Sequence, residues 1–141
     1  METTQKTKIA VSANINAGID KTWMLWNGPE HITQWNAASP EWHTPKADND
    51  LREGGKFSYR MEAKDGSFGF DFEGIYDEVI PSQKICYSLS DGRKVEISFI
   101  EKGDNTEVTE TFDADDSHSI ELQQTGWQAI LDNFKRYVES H

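Results

Sequence analysis

The side chains able to do chemistry are few, and none stands in a complete catalytic pattern. The chain has no Gly-x-Ser-x-Gly elbow, no Gly-x-x-x-x-Gly-Lys phosphate loop and no His-Glu-x-x-His helix, so activated-serine, nucleotide and zinc-protease chemistries lack their usual carriers. Cys86 is the one cysteine, set between Ile85 and Tyr87 with no evident base beside it. It rules out an intrachain disulfide or a thiolate metal cluster within the chain, and it reads as a packing residue. His31 and His43, with Glu30 and Glu41 nearby, could be drawn as a metal pair. Metal ligands must be preoriented on supported elements, and these positions read instead as polar residues near a cavity mouth. Asp113, Asp115 and Asp116 begin like a calcium loop, but the glycine and bidentate glutamate are missing at the matching offsets. That leaves a solvated helix entrance, and neither a metal nor a cofactor is expected.

Three further groups could serve a ligand. Glu73 and Glu78 flank Gly74, and a carboxylate buried there would have a raised pKa suited to acid or base work, although most strand carboxylates face water. Arg52 and Arg60 could hold a ligand carboxylate, but their alternating outward positions favour surface ion pairs. Gly54-Gly55 could let a ligand approach the backbone, yet a glycine pair opening a strand more commonly bends it.

The aromatics are the larger signal: five Trp, seven Phe and four Tyr, each able to bury on the order of 150 to 250 Å². Core packing is one account of them. The other is an aromatic-lined pocket, because Trp35 and Trp42 fall in segments that would form a mouth rather than a centre. The candidate lining is Trp35, Trp42, Phe57, Tyr59, Met61, Phe70, Phe72, Tyr87, Phe99, Gln123, Trp127 and Ile130. Gln123, Tyr59 and Tyr87 would supply polar orientation, since a buried glutamine needs hydrogen-bond partners. Gly126 weakens a helix, by about 1 kcal/mol relative to alanine, which suggests that something approaches it closely.

The elements that must position these residues follow from periodicity. Residues 8 to 15 alternate, with Ile9, Val11, Ala13 and Ile15 on one side, and predict a first strand. Two short helices follow, one with Trp23, Leu25 and Trp26 and, beyond Gly28-Pro29, another with Ile32 and Trp35. Residues 37 to 50 read as loop plus at most a short edge strand. Strands are predicted near 54–64, 67–80, 83–90, 93–101 and 105–113, and their short connections can join only antiparallel neighbours. Phe57, Tyr59 and Met61 share a strand face, as do Phe68, Phe70 and Phe72. After Gly74 the apolar positions shift to Ile75 and Val79, as though a bulge had reversed the register. Residues 118–139 form an amphipathic helix with Ile120, Trp127, Ile130, Leu131, Phe134 and Val138 in one stripe, capped by Ser117 or Ser119.

The sum is an α+β domain spanning residues 1–141: a curved six- to seven-stranded antiparallel sheet wrapped on a long C-terminal helix, with two short helices after the first strand. A sheet gripping a helix leaves room for a pocket. Its charge of −11, from 25 acidic against 14 basic residues, repels phosphate backbones and anionic headgroups, which argues against nucleic-acid partners. No apolar run approaches the ~20 residues of a membrane span, and the first residues lack a secretory signal's apolar segment, so a cytoplasmic location without membrane insertion is expected.

Residues across nearly the whole chain carry a family resemblance. Trp23 with Pro29-Glu30-His31-Ile32-Thr33-Gln34-Trp35, Asp50 through Phe57, Gly74-Ile75-Tyr76-Asp77-Glu78-Val79-Ile80-Pro81, and Gly126-Trp127 together resemble the heat-shock-protein ATPase activator homologue (AHSA-like) family of the START-like helix-grip superfamily. The resemblance implies β-α-α-β-β-β-β-β-β-α topology and a cavity between sheet and last helix that accommodates hydrophobic small molecules in relatives. It also implies two alternatives: a cyclase-type enzyme using the same cavity, and a co-chaperone-like module with a chaperone partner. The eukaryotic chaperone activators carry an additional N-terminal domain, for which 141 residues leave no room. The leading expectation is non-catalytic binding of a lipid-like or polyketide- or flavonoid-like molecule by a monomer or weak dimer.

Overall fold

The structure, a computed structural model, describes residues 7–115 and 118–141. Strand β1 (Lys8–Ile15) buries Ile9, Val11 and Ile15 along one face. Helix α1 (Ile19–Asn27) ends at Gly28, whose N–H bonds the Met24 carbonyl. Pro29 then opens α2 (Pro29–Trp35), in the first turn, where a missing N–H costs nothing.

The segment expected to be mainly loop is more regular than its composition suggests. Trp42–Asn49 forms an eight-residue edge strand, β2, and Trp42 is a strand residue opposite Ala63. The pairing is irregular between His43 and Lys46, the interval that contains Pro45. Proline cannot donate to a ladder and is tolerated at such a bulge on an edge.

Strands β3 (Lys56–Ala63), β4 (Gly69–Ile80), β5 (Lys84–Leu89), β6 (Lys94–Lys102) and β7 (Asn105–Asp113) complete a seven-stranded antiparallel sheet in the order β1-β7-β6-β5-β4-β3-β2. Tight turns make the meander: the two residues between β6 and β7 include Gly103 at φ 63°, a left-handed conformation that glycine adopts without strain.

The expected register reversal at Gly74 does not occur. Gly74 pairs with Phe57 in unbroken β3–β4 register, and Phe72, Gly74 and Tyr76 continue on the inner face while Ile75 stays outside, 45% exposed. The irregularity lies at Asp77, between Tyr76 and Glu78 in the β4–β5 ladder. Gly74 is needed for space: a β-carbon would stand 2.6 Å from the Ser88 carbonyl and 2.9 Å from the Phe57 ring.

Helix α3 (Ile120–Glu139) crosses the concave face, with Ser119 as N-cap accepting from the Leu122 N–H at 3.0 Å. The alternative cap Ser117 and the acidic Asp116 lie outside the described residues. The C-terminal half of α3 buries Leu131, Phe134 and Val138 completely, whereas Trp127 and Ile130 are half-buried and Leu122 is exposed. The helix is tied to β1 along both halves, Gln124 and Gln128 donating to the Ala10 and Ser12 carbonyls and Lys135 to that of Asn14, but its first half buries fewer side chains and leaves space toward β3 and β4. Gly126 does not serve close packing, since a β-carbon there would meet nothing within 4 Å. No helix among the described residues is long and apolar enough to cross a membrane.

Candidate functional site

The space between the first half of α3 and strands β3 and β4 is a cavity of about 570 Å³, within the range of small-molecule sites. Its wall is the inner face of β3 and β4. Phe57, at the centre, meets Tyr59, Phe72, Tyr76 and Tyr87 at ring-centroid distances of 4.7 to 5.8 Å. The roof is α3: Trp127 stacks on Phe112 of β7 at 3.9 Å and meets the Phe72 ring edge-on at 6.1 Å, with Ile130 one turn further. The end nearest the short helices is a tight cluster of Trp26, Trp35 and Phe134, in which the Trp35 indole N–H is bonded to the Leu25 carbonyl. At the open end Trp42 stands within 6.2 Å of both Phe68 and Phe70, which are 61% and 39% exposed.

Ten of the twelve candidate residues border this one space: Trp35, Trp42, Phe57, Tyr59, Met61, Phe70, Phe72, Tyr87, Trp127 and Ile130. Two do not. Phe99 packs edge-on against Trp23 and Trp26, filling the core between β6 and α1. Gln123 is occupied as a latch: its amide nitrogen donates to the carbonyls of Asp115 and His118 at 2.8 and 2.9 Å, and its oxygen accepts the Asp115 N–H at 2.7 Å. It ties the β7–α3 connection to the first helical turn and has little left to offer a ligand.

The other sequence candidates lie on the surface. Glu73 is exposed and accepts from Ser58, and Glu78 pairs with Lys84 at 3.1 Å on the outer face. Arg52 is paired with Asp50, and Arg60 with Glu62 and Asp71. His31 is bonded to the Tyr137 hydroxyl at 2.7 Å while His43 faces Glu62 at 3.6 Å, so the two serve different partners. Cys86 lies on the outer face, where burial pushes its thiol up, away from the reactive thiolate. Gly54, at φ 81°, and Gly55, whose β-carbon would collide with the Asp50 carbonyl, make the β2–β3 turn.

The acid that does face inward is Glu110, which motif reading missed. It sits on β7 between Val108 and Phe112 and is flanked across the ladders by Val11 and Ile97, all four buried. It is 6% exposed and borders the cavity. Removal of water by these neighbours raises its pKa from 4.5 to about 8, so it is protonated at neutral pH. Among the described residues no hydrogen bond or ion pair engages its carboxyl, and its oxygens open toward the cavity it borders. The signal was the phase of β7: Thr106, Val108 and Phe112 all point inward, and Glu110 is in step with them.

Tyrosines provide the remaining inner polarity. Burial pushes the hydroxyls of Tyr59 and Tyr87 well above 10, and that of Tyr76 up to about 12. Tyr76 donates to the Asn49 side chain and Tyr59 bonds to Tyr76. The set can enclose an apolar molecule and meet one or two of its polar atoms. It lacks an activated nucleophile, and no group of three or more His, Cys, Asp or Glu suited to a metal ion exists among the described residues.

Comparison with known proteins adds a lineage to this geometry. The sequence profile of the family described as Activator of Hsp90 ATPase homolog 1-like protein matches residues 16–139. An AHSA1-like protein of Aeromonas hydrophila, solved in solution, is 48% identical, with a TM-score of 0.89 over 95% of this chain and 93% of that one. A Cytophaga hutchinsonii protein is 50% identical, with a TM-score of 0.80 over 96% and 92%. A Chromobacterium violaceum protein at 19% identity and TM-score 0.84, covering 94% and 98%, shares the fold. No curated protein matches the chain.

Proposed function

The chain belongs to the Activator of Hsp90 ATPase homolog 1-like family, and from that footing we propose that it binds an apolar or aromatic small molecule, without covalent chemistry, in the cavity between sheet and α3. The observation that carries this reading is the cavity itself: about 570 Å³ walled by aromatic rings, between the first half of α3 and strands β3 and β4. A domain free to collapse would fill such a space, because each unfilled contact forfeits dispersion energy. The binder works in the cytoplasm as a single folded unit, and its charge of −11 favours uncharged ligands over anionic ones.

The test is native mass spectrometry of freshly purified protein, followed by titration with a library of lipids and polycyclic aromatics read by Trp fluorescence and by amide shifts around Tyr87 and Trp127. Co-purified or saturable ligands that shift these residues support the reading. An empty protein that shows no response across the library refutes it.

A cyclase-type enzyme is the second reading, and the observation favouring it is Glu110, a protonated acid within a dry, aromatic enclosure. Turnover of a bound ligand that stops in Glu110→Gln would establish it; a ligand recovered unchanged after prolonged incubation would exclude it.

A further inference from the structure

Most polar groups bordering the cavity already have partners. Tyr76 is bonded to Asn49, and Asn36 to Thr44. Arg93, on the β5–β6 turn, is held by Asp91 at 2.7 Å, and Asp115 and His118 face each other at 3.2 Å. The indole N–H groups of Trp26 and Trp127 have no hydrogen-bond acceptor among the described residues, and the same holds for two donors carried by the sheet, the carboxyl of Glu110 and the hydroxyl of Tyr87. Both face inward from neighbouring parts of one rigid sheet, Tyr87 opposite Val95 and Glu110 opposite Ile97 on β6. Donors fixed on a sheet and lacking acceptors of their own are a recognition device, because an acceptor placed between them regains in the cavity what it loses in leaving water.

We propose that Glu110, assisted by Tyr87, is the specificity-determining contact of the cavity: its carboxyl donates a hydrogen bond to the carbonyl oxygen of a neutral, otherwise apolar ligand. The proposal rests on the reading of the cavity as a ligand site. It selects ketones, esters and amides over hydrocarbons of equal shape. A neutral acid donates; an ionised one only accepts, so the preference depends on the protonation of Glu110. The other titratable groups on the cavity are Tyr59, Tyr76, Tyr87, Arg93, Asp115 and His118. The tyrosine hydroxyls are all pushed up and stay protonated at the pH values used. The turn and the β7–α3 connection supply the other three, and substitution at Glu110 separates its titration from theirs.

Two probes of the same outline decide it, 2-acetylnaphthalene and 2-ethylnaphthalene, titrated by calorimetry into the intact protein. At pH 7 the ketone should bind about fivefold more tightly, the worth of one neutral hydrogen bond. The preference should fall by about pH 9, above the Glu110 pKa of about 8, to what the Tyr87 hydroxyl alone supplies. Glu110→Gln, whose amide donates at any pH, should keep the full preference at both pH values, and Glu110→Leu should show only the reduced one at both. The infrared carbonyl stretch of the bound ketone should lie lower in wild type at pH 7 than in Glu110→Leu, a readout that a merely structural residue would not move. Equal binding of the two probes at pH 7, or a preference undiminished in Glu110→Leu, overturns the inference while leaving the cavity a binding site. Tighter binding of naphthylmethylammonium than of the ketone overturns it in favour of a cation site. Binding of none of the probes removes the inference and the ligand-binding reading together.

Discussion

Replacing Glu110 with Gln probes the buried carboxyl without changing its outline. In the folded protein its pKa rises from 4.5 to about 8, because Val11, Ile97, Val108 and Phe112 displace water around it. Between those values the folded state holds a proton that the unfolded chain has released, so stability falls as pH rises through the interval. Below the unfolded pKa both states are protonated and there is no penalty; above about 8 both are ionised and the penalty is complete. At about 1.4 kcal/mol per unit, the shift amounts to about 5 kcal/mol, a large share of the roughly 5 to 15 kcal/mol by which domains are stable. Gln stays neutral throughout. Urea unfolding of both proteins should therefore show a stability difference, variant minus wild type, that grows by about 1.4 kcal/mol per unit from about pH 5 to about pH 8 and then levels. The subtraction cancels Glu62, Asp65, Asp91 and Glu139, whose pKa values are lowered by their partners and which titrate on the acid side. A difference that stays flat from about pH 5 to about pH 9 would refute the reasoning, because it would mean the carboxyl is hydrated in the folded state.

Other substitutions test the frame around the site. Gln123→Leu removes the latch on the β7–α3 connection and should cost about 2 kcal/mol, read as a lower urea midpoint with faster exchange of the Asp115 amide. Unchanged stability would show that the latch is idle. Gly126→Ala should stabilise the protein by about 1 kcal/mol, since a β-carbon there meets nothing; a loss of stability would reveal a contact the geometry lacks. Gly74→Ala should cost about 1 to 3 kcal/mol, because the new methyl collides with the Ser88 carbonyl and the Phe57 ring, and its thermal unfolding midpoint should fall.

The legible part of this fold is the part written in alternation. β1, the inner face of β3 and the stripe of α3 from Trp127 to Val138 follow directly from spacing, whereas Ile120, placed in the same stripe, is 43% exposed at the start of the helix; tight turns forced the antiparallel order. Family resemblance supplied the helix-grip topology as a whole. What escaped was polar where the pattern expects apolar, or the reverse. β2 was obscured because Pro45, Lys46, Asp48 and Asn49 carry no apolar period, and an edge strand is stabilised by its ladder to β3 more than by its side chains. Ile75 misled in the opposite direction: an exposed isoleucine places at Gly74 a register change that the backbone makes at Asp77, beyond which Val79 does pack against the core. Gln123 lay in the helical stripe as expected, but its partners come from the preceding connection, which periodicity does not see. Glu110 was hidden by Glu107, Thr109 and Thr111 around it, which make β7 read as a polar strand until Val108 and Phe112 are used to fix its phase.

Under the proposed ligand binding, the difference between the cavity's two ends would give a bound molecule one orientation. Glu110 and Tyr87, 6% and 7% exposed, occupy the closed part, and Trp42, Phe68 and Phe70 surround the opening. A ligand with its carbonyl at the opening would leave the inner donors unmet and set its polar atom beside three aromatic rings, losing twice. With the carbonyl inward, the donors are satisfied in a dry setting where hydrogen bonds are strongest, and the apolar remainder lies against the rings at the mouth. That arrangement also accounts for Phe68, which at 61% exposure contributes little to the core yet stands 6.0 Å from Phe70 and 6.1 Å from Trp42. Three rings held together at an opening shield little of each other from water, but they cover the exposed end of a molecule reaching in from outside. On the proposed reading, the acid within and the exposed aromatics at the rim would act as complementary halves of one recognition surface, each unfavourable alone and relieved by the same neutral, carbonyl-bearing occupant.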